Sequence, residues 1–160
     1  LDKLAADLGA RLLSRGLVLA VSESCTGGWI SKVVTDIPGS SAWFDRGFVT
    51  YSNRAKQEML GVSEESLSGH GAVSAEVVAE MAAGTLSRSR AQISIAVSGI
   101  AGPGGGSEEK PVGTVYLAWI LPDRGPVVQC LQFAGEREEV RHQAVRVALE
   151  RLLELLEDDV

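Results

Sequence analysis

The chain has 160 residues, with 15 Lys plus Arg against 21 Asp plus Glu, a formal charge of −6 and a pI near 5.0. That balance argues against a nucleic-acid-binding surface, and the length predicts one domain over 1–160 that buries about 70% of its unfolded surface without a disulfide or metal scaffold. Hydrophobic residues at 45% and charged residues at 22% exclude disorder, while 18 Gly and 16 Ser exceed their usual share, so the places where they gather carry information.

Leu4, Leu8, Leu12 and Leu13 recur at helical spacing and stop at Arg15-Gly16, which predicts an amphipathic first helix. The apolar run 17–21 reads as a strand covered on both faces, and it leads into the polar turn Glu23-Ser24-Cys25-Thr26-Gly27-Gly28. Trp29, Ile30, Val33, Val34 and Ile37 mark a helix that Pro38-Gly39 ends. A turn at Ser40-Ser41 precedes a second strand at 48–51, and Asn53 is a natural N-cap for a helix over 54–60. Ser74 can cap a helix running to about Arg88, and 93–97 is a third apolar strand. The segment 98–107 holds five of the 18 Gly and is too short for a crossover helix. A strand at 114–121, a turn signal at 122–125 and a strand at 127–133 read as an antiparallel hairpin, and a helix over 136–157 closes the chain. The expected fold is an α/β class, three-layer α/β/α single domain with a mixed, mostly parallel sheet of about five strands.

Cys25 and Cys130 form no CxxC pair, and no His stands at zinc-finger spacing, so neither a disulfide framework nor structural zinc is expected. The longest apolar stretches, 17–21 and 115–121, fall far below the roughly 20 residues needed to span a bilayer. Cytoplasm is the expected compartment, with no membrane and no nucleic acid as partner.

In open α/β sheets, ligands sit outside the carboxyl ends of the strands. The turn after the first strand offers backbone N–H groups suited to an anion, through Glu23, Ser24, Thr26 and Gly27, although a plain strand-to-helix turn looks the same. After the third strand, Ser98, Gly99 and Gly102 let backbone approach a ligand closely, yet neither a Walker A loop nor GxGxxG is present. Ser41, Tyr51 and Lys56 form a third group. A Lys in the first turn of a helix opposes the helix dipole, which favours the neutral amine that a general base requires, and Ser activated by Lys is an alternative to Ser-His-Asp. Turn Ser and surface Lys are common, so spacing alone favours the plainer reading. Arg137 and Arg141 lie one turn apart on the last helix; neighbouring Glu residues or a phosphate could each pair with them. Cys25 near a helix N-terminus is a rival nucleophile, whereas His70, in an expected loop, and His142 read as solvated side chains.

Taken together, Glu23-Ser24-Cys25-Thr26-Gly27-Gly28, Gly39-Ser40-Ser41 with Trp43-Phe44, Val49-Thr50-Tyr51-Ser52-Asn53 with Lys56, His70-Gly71-Ala72-Val73-Ser74, Ser98-Gly99-Ile100-Ala101-Gly102-Pro103 and Lys110-Pro111-Val112-Gly113-Thr114-Val115 resemble the CinA C-terminal domain family. The resemblance runs from the first helix to the last, keeps the motif order, and is to the family's stand-alone form. It implies an amidohydrolase that converts nicotinamide mononucleotide and water to nicotinate mononucleotide and ammonia, in pyridine nucleotide recycling, without a metal or other cofactor. It also implies a homodimer or higher homo-oligomer. Carried over residue by residue, the nucleophile would be Ser41, with Lys56 as base aided by Tyr51, or Tyr51 as the direct base, Ser98 touching substrate, and either Arg137 or Arg141 binding it. A nucleotide-binding regulatory module without turnover is the alternative that the family's competence-derived name suggests.

Overall fold

The computed structural model describes residues 1–158. Its centre is the strand β1 (Leu19–Glu23), buried along its whole length because helices cover both faces. The sheet order is β2-β1-β3-β4-β5, with β2 at Phe44–Val49, β3 at Ile93–Gly99, β4 at Thr114–Leu121 and β5 at Arg124–Gln132. β1 pairs in parallel with β2 and β3, whereas β3–β4 and β4–β5 pair antiparallel. Four strands therefore point one way and β4 alone is reversed, as its two flanking short connections require.

α1 (Asp2–Ser14), α2 (Trp29–Thr35) and α6 (Arg137–Asp158) form one helical layer, and α3 (Asn53–Leu60), α4 (Glu64–His70) and α5 (Ala75–Ser87) the other. Alternation along the strands sends Leu19, Val21, Ile95, Val97, Leu117 and Trp119 into the first core, where the Trp119 indole donates to Ala148 O at 2.9 Å. The opposite sheet face is lined by small side chains, among them Ser94, Ala96 and Ala118. α5 consequently lies close enough for Ser94 Oγ to donate to Ala82 O at 2.9 Å. α3 crosses α5 at Gly84, where a Cβ would stand 2.0 Å from Leu60 O.

The elements differ from the sequence expectations at edges and in short segments. β2 is an edge strand and starts at Phe44, four residues before the expected 48–51, because Asp45, Arg46 and Gly47 break the apolar pattern without breaking the pairing. α3 is capped by Ser52, which accepts from Ala55 N at 3.0 Å, rather than by Asn53. α4 was not expected at all; Ser63 caps it, and His70 is its last residue rather than part of a loop.

Candidate active site

β1 delivers Ser24 to the carboxyl end of the sheet, and Ser24 N donates to Val97 O at 3.1 Å, which ties the following turn to β3. Lys56, one turn into α3, reaches back over the same sheet face and is 1% exposed. Its Nζ donates to Thr50 O at 2.9 Å and to Tyr51 O at 3.1 Å, and it lies 3.0 Å from Ser24 Oγ. Among the described residues no carboxylate pairs with it. Burial therefore holds the Lys56 ammonium below its ordinary value of 10.5, opposed only by the weaker attraction of Cys25. The cause is loss of solvent, not the helix-dipole argument drawn from sequence. The three acceptors match the three N–H bonds of an ammonium, with Ser24 Oγ in turn donating to Tyr51 O at 3.5 Å; once the amine is neutral, two N–H bonds serve the two carbonyls and the lone pair is left for the Ser24 hydroxyl.

Ser24 and Lys56 lie at the bottom of a pocket of about 260 Å³ that Tyr51, Asn53, Ala72, Val73, Ser98, Gly99, Ala101 and Arg137 also line. Ser98 Oγ donates to Ala72 O at 2.8 Å, fixing the wall between α4 and α5 and leaving its lone pairs free for a ligand. At the rim, Arg137 Nη1 donates to Gly102 O at 2.7 Å and Nη2 reaches the Tyr51 hydroxyl at 3.4 Å. Gly102 thus meets Arg137 through its carbonyl and does not itself line the pocket. Tyr51 is 62% exposed, and its main-chain carbonyl, not its phenol, is the group in contact with Lys56.

Several expected site residues serve elsewhere. Ser41 is exposed on a single 3₁₀ turn, Ser40–Ala42, that precedes β2, whereas Tyr51 and Lys56 follow β2. The intervening strand carries the chain about 16 Å along the sheet, so Ser41 stands at the opposite end of β2 and the nucleophile role implied for it has no base beside it. Glu23 is fully buried and faces away from the pocket. Its carboxylate accepts from Thr26 Oγ1 at 2.7 Å, Ile30 N at 2.8 Å, Ser31 N at 3.0 Å and Ser31 Oγ at 2.8 Å. The anion expected at the start of α2 is thus an internal one, and Glu23 and Thr26 hold the turn rather than a ligand. Gly27 contributes a left-handed turn at φ +59 and lies beside Arg141. Arg141 also stays out of the pocket: its Nε donates to Cys25 O at 3.0 Å, its Nη2 to Thr26 O at 3.2 Å, and its guanidinium stacks 5.5 Å from the Trp29 ring centre. Of the two arginines, Arg137 is the one at the pocket. Burial pushes the Cys25 thiol up to about 11, which removes the thiolate that the rival nucleophile reading needs.

Sequence reasoning placed Ser24 among binding residues and missed its contact with Lys56. The available signal was position: Ser24 is the first hydroxyl past a strand buried on both faces, at the end of the sheet where ligands gather. Asn53, Ala72, Val73 and Ala101 had no signal of their own as pocket walls.

Comparison with known proteins gives this arrangement a lineage. Nicotinamide-nucleotide amidohydrolase PncC of Escherichia coli (strain K12) is 54% identical over 152 residues, which is 95% of this chain and 92% of that protein. The Pseudomonas putida protein of the same name is 50% identical over 95% of this chain and 94% of its own. A crystal structure of the competence/damage inducible protein CihA from Agrobacterium tumefaciens superposes with a TM-score of 0.94 at 48% identity, covering 96% of this chain and 94% of that one. The model of the CinA C-terminal domain matches residues 1–156, and with relatives this similar over nearly their whole length the chain belongs to the CinA C-terminal domain family.

Proposed function

We propose that this chain is a nicotinamide-nucleotide amidohydrolase, an enzyme that hydrolyses the carboxamide of nicotinamide mononucleotide with Ser24 as nucleophile and Lys56 as general base. The observation that carries the chemistry is the 3.0 Å approach of a buried, carboxylate-free Lys56 Nζ to Ser24 Oγ. The substrate follows from the amidohydrolase relatives, which match this chain at 50–54% identity over most of its length.

In the first step neutral Lys56 takes the Ser24 proton while Oγ forms a bond to the carboxamide carbon. The resulting Lys56 ammonium then protonates the amide nitrogen, the C–N bond breaks, and ammonia leaves an acyl ester on Ser24. Water attacks that ester as Lys56 takes its proton; the ester C–O bond breaks, the proton returns to Ser24, and nicotinate mononucleotide departs. The oxygen that gains charge in each addition needs a donor, and Cys25 N–H, which among the described residues meets its own thiol alone, follows the nucleophile directly at the pocket wall. Ser98 and the Tyr51 phenol meet the ring and ribose, and Arg137 meets the phosphate. The free thiols of Cys25 and Cys130 accord with work in the cytoplasm.

Ammonia release from nicotinamide mononucleotide tests the reading and separates it from a nucleotide sensor, which would bind and release nothing. Ser24→Ala, shown folded by circular dichroism, loses turnover by about 10³-fold or more, while Ser41→Ala keeps it. Wild-type turnover in Ser24→Ala, or its loss in Ser41→Ala, would falsify the assignment.

A further inference from the structure

We infer that Arg141 is a positioning residue that presents the backbone N–H groups of the turn after Ser24 to the developing oxyanion, acting through the turn's carbonyls without touching substrate. The inference rests on Ser24 being the nucleophile. Each carbonyl of residues 24–26 is engaged: Ser24 O by Gly27 N at 3.1 Å, Cys25 O by Arg141 Nε at 3.0 Å, and Thr26 O by Arg141 Nη2 at 3.2 Å and Trp29 N at 3.1 Å. The Thr26 N–H, by contrast, has no acceptor among the described residues, and the Cys25 N–H has its own thiol alone. In a trans peptide the N–H points opposite to the C=O of the same unit, so Arg141's hold on Cys25 O aims the Thr26 N–H, and its hold on Thr26 O fixes the Gly27 N–H, which through its bond to Ser24 O in turn fixes the Cys25 N–H. A guanidinium suits this task because its planar fork bonds two successive carbonyls at once, and the Trp29 ring beneath it at 5.5 Å limits its swing. Arg141 comes from α6, 116 residues after Cys25, so this clamp reaches the turn from a separate element. Its absence from the pocket wall separates its role from that of Arg137.

The experiment measures kcat and KM for nicotinamide mononucleotide in Arg141→Met and Arg141→Lys, with circular dichroism to confirm folding. Loss of one oxyanion donor lowers kcat by about 10²-fold or more. Arg141→Met is expected to show a fall of about that size with KM within threefold of the parent. Arg141→Lys, able to hold one carbonyl, should recover about a tenth of the parent rate. The pH midpoint of kcat stays where it is in both, since Lys56 keeps its surroundings. A large rise in KM at unchanged kcat would make Arg141 a substrate ligand and overturn the inference; so would parent kinetics, or a shifted midpoint, which would mean that its charge acts on Lys56. If Arg141→Met does not fold, Arg141→Lys decides alone, with kcat lowered about tenfold at constant KM as the supporting result. Ser24→Ala run in parallel separates the layers of the argument. Activity in Ser24→Ala overturns the nucleophile and this inference together, whereas an inactive Ser24→Ala beside a fully active Arg141→Met overturns only the role of Arg141.

Discussion

At the scale of single residues, Lys56 sets both chemistry and pH behaviour. An unfolded chain would keep the Lys56 proton up to about 10.5, while the buried side chain releases it at lower pH. Between those two values the unfolded state binds more protons, so this group's contribution makes stability rise with pH; the destabilisation is full below the folded value and gone above 10.5. Two results follow. The kcat of the parent climbs with pH to a plateau whose midpoint lies below 10.5, because the neutral amine is the working form. In thermal melts the parent gains on Lys56→Met as pH rises towards 10.5, since the methionine variant lacks the titrating group; a constant gap between the two curves would refute a strained ammonium. This strain is not visible in the residue pattern. In sequence Lys56 reads as a surface lysine like Lys3, Lys32 and Lys110, and only the approach of α3 over a sheet face of small residues, which removes it from water, makes it unusual.

At the scale of elements, that approach depends on α3 and α5 touching backbone to backbone. Gly84→Ala would place a methyl group 2.0 Å from Leu60 O, a contact that only a shift of one helix can relieve. Overpacking of this kind costs about 3 kcal/mol, read as a lowered urea midpoint, and because Lys56 rides on α3 the same variant loses turnover more steeply than stability alone accounts for. Central elements were legible in sequence. β1, β3, β4, α5 and α6 announce themselves through continuous apolar runs or helical periodicity, since each is buried on a full face or more. The edge and the short pieces were not. β2 is covered unevenly, so Asp45, Arg46 and Gly47 are tolerated within it, and seven-residue α4 is too short to show a period. The start of β2 bears directly on the site: the family resemblance put Ser41 beside Tyr51 and Lys56, whereas a strand that begins at Phe44 sets Ser41 and Tyr51 at its opposite ends.

At the scale of the whole molecule, the pocket draws on both helical layers. Ser24 and Arg137 come from β1 and α6, Lys56 from α3 across the sheet, and the Gly-rich loop after β3 closes the space between them. A chain of net charge −6 repels an anion at long range, so recognition of a phosphate must be local, and Arg137 is the cation at the pocket rim. Arg137→Gln should raise KM for nicotinamide mononucleotide about tenfold or more, leave kcat nearly unchanged, and alter KM for the riboside, which lacks the phosphate, far less. Equal effects on both compounds would place Arg137 elsewhere. The motif order carried the family, and the topology carried the end of the sheet where a ligand belongs; the pairing of Ser24 with Lys56 is a long-range contact that periodicity cannot express. That pairing also governs when the serine becomes reactive. Ser24 and Lys56 are 32 positions apart and meet only after β1 has joined the sheet and α3 has folded back over it. A nascent or partly unfolded chain therefore carries an ordinary, inert serine. Labelling of Ser24 by an acylating probe would count native molecules alone, so the fraction labelled during refolding becomes a chemical clock for the last packing step.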